Sequence, residues 1–356
     1  MGKGGQHTTN ASLTAILAAV LYGISVPISK LLLEGIPPEW MAALLYLGAG
    51  FGMMLINGFR KRNGSERMEA TLAKEDRPFI VGMIVLDVAA PILLMLGLTS
   101  TSSGSVALLN NFEVVATSLV ALVIFKEHLD GRMWIALSLI TGASFLLSIE
   151  NIGEFTFSMG SIFVLLATIC WGIENNCTRM LSLKDPLQVV MVKGLGSGMG
   201  ALIIAIWVRS PIIYPWYMVP ALLLGFVSYG LSIYFYIHAQ RHLGAARTSA
   251  FYAAAPFVGV VVSWILFQES ISTTFAMAMG LMLVGSYLVV SERHSHLHLH
   301  EEMRHDHRHS HEDFHSTHFH ADSIDGEHSH THVHEAVEHD HQHTPDMHHH
   351  HEHGNE

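Results

Sequence analysis

ASLTAILAAVLYGISVPISKLLL, residues 11–33, is an apolar run of the length an α-helix needs to cross a hydrocarbon core of about 30 Å, and its pattern returns as GSIFVLLATICWGIENNCTRMLS at residues 160–182. Tyr22-Gly23-Ile24 matches Trp171-Gly172-Ile173, Lys30 matches Arg179 and Pro37 matches Pro186, all at one offset of 149 residues. Farther along, Phe125-Lys126-Glu127 matches Phe267-Gln268-Glu269 at an offset of 142. The difference of seven is absorbed by a longer basic loop in the first half.

Working outward from that run, the same reading finds ten apolar stretches, at 11–33, 40–59, 78–98, 103–125, 132–149, 158–180, 187–208, 216–238, 246–267 and 273–290. Aliphatic runs punctuated by Gly, Ala and Ser suit closely packed helices, because in lipid each segment must satisfy its own backbone amides. The expected fold is an all-α integral membrane protein of ten transmembrane helices. Each half holds an odd number of spans, so the second enters the membrane from the side opposite to the first. This arrangement, two inverted five-helix repeats over residues 11–149 and 150–292, predicts a substrate site near the midplane between halves. Residues 1–10 form a short terminus and residues 293–356 a tail.

Charge separates the tail from the rest. Through Glu292 there are 16 Lys and Arg against 16 Asp and Glu, whereas residues 293–356 hold 3 basic and 14 acidic residues and 23 of the 27 histidines. Only 14% of the chain is charged, against about 25% in an ordinary soluble domain, which excludes a water-soluble enzyme. If alternate loops lie on opposite sides, one side collects Lys3, Arg60, Lys61, Arg62, Arg67, Lys74, Arg77, Lys126, Arg132, Arg179, Lys184, Arg241, Arg247 and Arg293, the other only Lys30 and Arg209. The crowded side is expected to be cytoplasmic, which places both termini in the cytoplasm of a multi-pass plasma-membrane protein. No cleavable signal peptide is expected, and Cys170 and Cys177, both inside a span, imply no disulfide framework.

Ten spans in two repeats, an aromatic-Gly pair in the first helix of each and Phe-x-Glu closing the fourth helix of each resemble the EamA family of the drug/metabolite transporter superfamily. The resemblance covers residues 11–290 and implies a secondary carrier, often an exporter, that alternates between inward-open and outward-open states. It also implies a small cargo, since family members move amino acids, nucleotide-related metabolites, amines and drugs. One position departs from the family pattern: the ninth helix has the mid-helix proline, Pro256, while its repeat partner is Val114, directly after Glu113.

Charges near a bilayer centre are costly and persist where they face a partner or a wet cavity. Asp87, Glu113, Glu174 and Lys193 are four such residues. Glu113 shares a helical face with Asn110 and Thr117. These groups are candidates for the substrate or coupling-ion site, with Lys193 as counter-charge or as ligand for an anionic group; the competing reading is an ion pair that only fixes packing. Trp171, Tyr22 and Tyr252 are candidates to stack on a substrate, although aromatics at helical spacing often only pack. Cys170, Glu174 and Cys177 share a face that could hold a soft metal, or be plain small packing residues. Lys30 and Arg179 read as snorkelling anchors, Glu127 and Glu269 as helix-end charges that maintain the fold. His238 and His242 could share a metal at the end of the eighth span, or simply lie at the interface.

The tail carries histidine at alternate positions: His294, His296, His298 and His300; His305, His307, His309 and His311; His318 and His320; His328, His330, His332 and His334; His339, His341 and His343; then His348 to His351 and His353. Neutral imidazoles favour Zn, Ni, Co and Cu ions, and Asp306, Glu312, Asp313 and Asp340 add oxygen ligands or charge. With too few apolar residues for a core, the tail is expected to be disordered without metal.

Three functions fit: a carrier exporting a transition metal captured by its tail, a metabolite, amino-acid or drug exporter whose tail senses or buffers metal, and a membrane-tethered metal store. The carrier itself needs no cofactor. Expected partners are the lipid bilayer, a small molecule or ion, and transition-metal ions; no nucleic acid is implied, and the absence of a nucleotide-binding loop argues against ATP coupling within this chain.

Overall fold

The computed structural model describes residues 3–62, 71–125, 129–151, 156–181, 184–243, 248, 251–290, 294–300, 303–309, 328–334 and 337–343. In chain order come α1 (Lys3–Gly23), α2 (Ser25–Leu32), α3 (Pro38–Arg62), α4 (Arg77–Ser100), α5 (Ser103–Leu109), α6 (Phe112–Phe125) and α7 (Gly131–Ser148). A two-stranded β1 (Ile149–Asn151) and β2 (Thr156–Phe157) ribbon leads to α8 (Met159–Arg179), α9 (Pro186–Val208), α10 (Met218–Gly225), α11 (Ser232–Leu243), α12 (Ala255–Phe267) and α13 (Thr273–Val290). Polar caps mark several starts. Ser102, Asp130, Ser158 and Asp185 accept from the N–H of Ser105, Met133, Ser161 and Leu187, respectively.

Among the described residues, eight helical stretches are long and apolar enough to cross a membrane: Ala11–Leu32, Pro38–Arg60, Arg77–Ser100, Ser103–Ile124, Gly131–Ser148, Pro186–Val208, Pro215–Ala239 and Thr273–Val290. Of the other two expected spans, 158–180 coincides with α8, whose apolar sequence is diluted by Glu174, Asn175 and Asn176, while the second half of 246–267 is the short apolar α12, 13 residues long.

Three of these stretches are not the single helices the hydropathy pattern predicts. The first breaks between α1 and α2 at Ile24, where Pro27 lacks the N–H that would bond back to Gly23. The fourth breaks between α5 and α6 at Asn110-Asn111, side chains that compete for backbone bonds. The eighth passes through a π-helical segment, Phe226–Leu231, between α10 and α11. Such interruptions collect at functional sites.

Small residues bring the helices together. A β-carbon on Gly194 of α9 would lie 2.5 Å from the Gly50 nitrogen, and one on Gly50 of α3 would lie 2.6 Å from the Leu195 nitrogen. The two backbones touch, so any side chain forces the helices apart. Gly194→Val is expected to cost at least the roughly 1–3 kcal/mol of ordinary overpacking, read as a lower unfolding temperature in detergent. Gly58→Ala, with nothing within 4 Å of the new carbon, is the control expected to unfold like the parent.

Loops that the charge count assigns to one side do meet. Lys184 pairs with Asp76 at 3.0 Å and Leu72 N–H donates to Gln188 Oε1 at 3.2 Å. At the other end, the N–H groups of Ile213 and Tyr214 donate to Gly35 O at 2.9 and 3.1 Å.

In the tail, four segments are described as strands. β3 (His294–His300) pairs antiparallel with β6 (Val337–His343), and β4 (Met303–His309) with β5 (His328–His334). Alternation of histidine with other residues has the two-residue period of a strand. The register sets histidine against histidine at six positions, among them His296 with His341 and His307 with His330. The backbone alone is described there, and His311, His318, His320 and the final histidine run lie outside the described residues.

Candidate functional site

Lys193 of α9 holds the centre of the bundle. Its Nζ lies 3.1 Å from Asp87 Oδ2 of α4 and 3.0 Å from Glu174 Oε2 of α8. Asp87 and Glu174 are 0% and 1% exposed, so they are removed from lipid and water alike. Asp87 Oδ1 accepts from Tyr46 Oη at 2.9 Å and from Trp171 Nε1 at 3.1 Å. Glu174 Oε1 accepts from the Thr178 hydroxyl one turn on. Trp171 therefore acts on Asp87 through its N–H; it is not an open stacking platform.

Glu113 of α6 stands beside this triad. Its Oε1 accepts from Asn175 Nδ2 at 2.6 Å, and the same amide lies 3.3 Å from Thr117 Oγ1. Glu113 also interacts electrostatically with Glu174 and Lys193. The polar stripe read along the fourth span thus meets α8 at Glu113 and Thr117. Asn110 is buried at the helix break, and its Oδ1 has no hydrogen-bond partner among the described residues.

A row of tyrosines runs from the triad. Tyr46 packs on Tyr229 at 5.4 Å between centroids, Tyr229 on Tyr22 at 6.0 Å, Tyr22 stacks on Tyr252 at 5.5 Å, and Tyr236 meets Tyr252 edge-on at 4.8 Å. Tyr252 Oη lies 3.2 Å from Ser232 Oγ. The π-helical segment of the eighth span supplies Tyr229, and the α1–α2 break falls two residues after Tyr22. A small cavity touches Tyr46, Tyr229, Lys193 and Ile233.

Sequence reasoning found Asp87, Glu113, Glu174 and Lys193, and missed Tyr46, Tyr229 and Asn175. Asn175 and Asn176, consecutive amides in an apolar helix, were a signal; Tyr46 and Tyr229 gave none.

Several expectations change. On the face of Cys170, Glu174 and Cys177, Glu174 is engaged by Lys193, and no group of three His, Cys, Asp or Glu side chains is placed to hold a metal ion among the described residues. Lys30 anchors a helix end: its Nζ donates to the main-chain carbonyls of Leu98 and Thr101. His238 stacks on Tyr234 at 6.5 Å between centroids, and the side chain of His242 lies outside the described residues, as does Glu127.

The profile of the EamA-like transporter family matches twice, over residues 9–149 and 158–291. The chain belongs to that family. Within the EamA-like family it is 26% identical over 293 residues to an uncharacterized transporter of Methanothermobacter thermautotrophicus, covering 78% of this chain and 85% of the relative. It is also 32% identical over 74 residues to the permease-like protein YdzE of Bacillus subtilis, 21% of this chain and 95% of that one. A solved crystal structure, described only as that of a protein, shares the fold at a TM-score of 0.58 and 17% identity, covering 79% of this chain and 95% of the other. The EamA-like assignment makes this chain a multi-pass membrane protein and a transporter, with the triad at its centre.

Proposed function

We propose that this EamA-like chain is a secondary-active exporter that exchanges protons for a small, positively charged solute at the Asp87, Glu174, Glu113 and Lys193 cluster, and that its tail is a cytosolic buffer for transition-metal ions. The observation that carries the reading is the charge ratio at the site: Asp87 and Glu174 pair with the one ammonium, and a third carboxylate, Glu113, is held beside them by Asn175, the residue after Glu174. Two surplus negative charges in a low-dielectric interior are too costly to leave unbalanced. Protons or a cationic guest balance them in turn, which is the condition for exchange. Tyr46 and Tyr229, which line the small cavity beside Lys193, give that guest aromatic faces, which attract cations. Ten spans in two inverted halves would let either side reach the cluster by rocking, and the two ranges the family profile matches support a division into halves.

In the tail, each pair of opposed histidines could supply two ligands to one Zn, Ni, Co or Cu ion. An isolated two-stranded hairpin is marginal in water, so metal would also stabilise the ladders.

A second reading keeps the metal itself as cargo, favoured by 23 histidines beside the expected cytosolic mouth. Against it stands that, among the described residues, no three His, Cys, Asp or Glu side chains are placed to hold one metal ion, and that Lys193 occupies the two carboxylates at the centre. Proteoliposomes loaded with a pH-sensitive dye and given an acidic interior separate these readings. Amines, amino acids, zinc, nickel and cobalt are added outside in turn. Collapse of the gradient by an amine, retained when the chain is stopped after Glu292 and lost in Glu174→Gln, is the expected result. Collapse by the metals alone would replace it with the second reading. No collapse with any solute would make the cluster a packing device.

A further inference from the structure

At one end of the bundle the turn between α4 and α5 is held from two sides by opposite charges. Lys30 Nζ donates to Leu98 O and, at 3.0 Å, to Thr101 O. An ammonium thus sits on the C-terminal carbonyls of α4, which lack helical partners and form the negative end of its dipole. Glu269, from the connection between α12 and α13, accepts from the N–H of Ser103 at 3.0 Å and of Gly104 at 3.1 Å, and from Ser103 Oγ at 3.2 Å. A carboxylate thus sits on the first amides of α5. Gly104 permits this approach, since a β-carbon there would lie 3.0 Å from Glu269 Oε2.

These contacts tie together the first span, the α4–α5 turn and the α12–α13 connection. Deeper in, the packing is closed: a β-carbon on Gly259 of α12 would lie 2.9 Å from Ala107 Cβ of α5 and 3.0 Å from Gly23 O, and Val106 and Leu108 are 0% exposed. Beside Glu269 opens a cavity of about 630 Å³, walled by Leu147, Val260, Trp264 and Phe275 and rimmed by Ser105 and Thr274. Its volume suits a small solute.

We propose that Lys30 and Glu269 are the latch of a gate at this end, and that the cavity is the vestibule a solute enters once the latch opens. Both side chains are only half-buried, and both grip main-chain groups that water can satisfy in their place, so release costs little. Asp87 and Glu174 have no such access to water. The gate takes its purpose from the transport reading, but it is tested by accessibility and not by flux, so either can fail alone.

In a background of Cys170→Ala and Cys177→Ala, Val106→Cys places a reporter thiol just inside the latch. A membrane-impermeant maleimide is applied from each face of oriented vesicles in turn. Lys30→Ala and Glu269→Gln are each expected to raise the labelling rate about tenfold from the α4–α5 end alone, within the range of ordinary couplings between sites. Lys30→Arg, which keeps the charge, is expected to label like the parent. Unchanged rates in both variants overturn the latch, as does an equal rise from both faces, which would mean a loosened bundle. If Lys30→Ala does not accumulate, Glu269→Gln decides alone, because it keeps the shape of the side chain and removes only its charge.

Discussion

Lys193→Met is expected to abolish transport and to lower stability by on the order of 3–5 kcal/mol, the cost of breaking a buried ion pair by removing one partner. Methionine fills the volume but leaves Asp87 and Glu174, 0% and 1% exposed, with no cation within reach. The neighbours cannot compensate fully. Tyr46 and Trp171 already donate to Asp87 Oδ1, and Thr178 already donates to Glu174 Oε1, so it is the Lys193-facing oxygens that lose their partner. Adding Asp87→Asn and Glu174→Gln to Lys193→Met removes the uncompensated charges, and this triple variant is expected to recover most of the unfolding temperature. It is not expected to recover exchange, because Glu113 is then the one carboxylate of the cluster left to take up a proton and the pair that Lys193 balanced is gone. Lys193→Arg tests a finer point: a planar fork does not reproduce two single contacts at 3.1 and 3.0 Å, so reduced transport in a folded protein is expected. Thermal unfolding in detergent and the dye assay on the same preparations read both effects. A folded, active Lys193→Met would remove the triad from the mechanism.

The spans were legible because a bilayer imposes one length and one composition on whatever crosses it, and the carboxylates and Lys193 stood out singly because lipid makes each of them costly. A pair between Lys193 and a carboxylate was legible; which acids it would join was not. Asp87, Glu174 and Lys193 meet because α4, α8 and α9 pack closely, and that closeness depends on contacts such as Gly50 against Gly194, which no period in the sequence announces. Tyr46 and Tyr229 carried no signal in the sequence, and what sets Tyr229 apart is the π-helical segment that carries it, a backbone feature without a residue signature. The break at Asn110-Asn111 was visible as a polar stripe and mistaken for one face of a continuous helix. Lys30 and Glu269 were read as end-of-helix charges, correctly for position; their partners are main-chain groups of a distant turn, which composition cannot name. In the tail the two-residue period was plain, yet composition argued for disorder, and the antiparallel register that opposes histidines appears only in the backbone pairing.

Lowering the pH from 7.5 to 5.5 is expected to weaken metal binding by the full-length protein by about 100-fold for a site of two imidazoles, and by about 10⁴-fold for one of four. A free imidazole titrates near pH 6.5 and is about 90% neutral at the upper pH and about 10% at the lower, a factor of about ten per ligand. The sign follows from the ligand atom: only neutral imidazole has the lone pair a metal needs, so binding releases protons and acid reverses it. Competition for zinc against a chromophoric chelator at pH 7.5, 6.5 and 5.5, with the chain stopped after Glu292 as control, reads the slope. A flat profile would assign the metal to carboxylates such as Asp306 and Asp340 instead of to the histidines. Acid also inverts the charge of residues 293–356, from −11 toward +12 if all 23 histidines are protonated. A strongly cationic segment is drawn to the anionic lipid of the cytoplasmic leaflet. If the tail is cytoplasmic and binds metal, as proposed, metal release and attachment of the tail to the membrane fall in the same pH interval, and in an acidified cell the tail lies against the bilayer, emptied of metal.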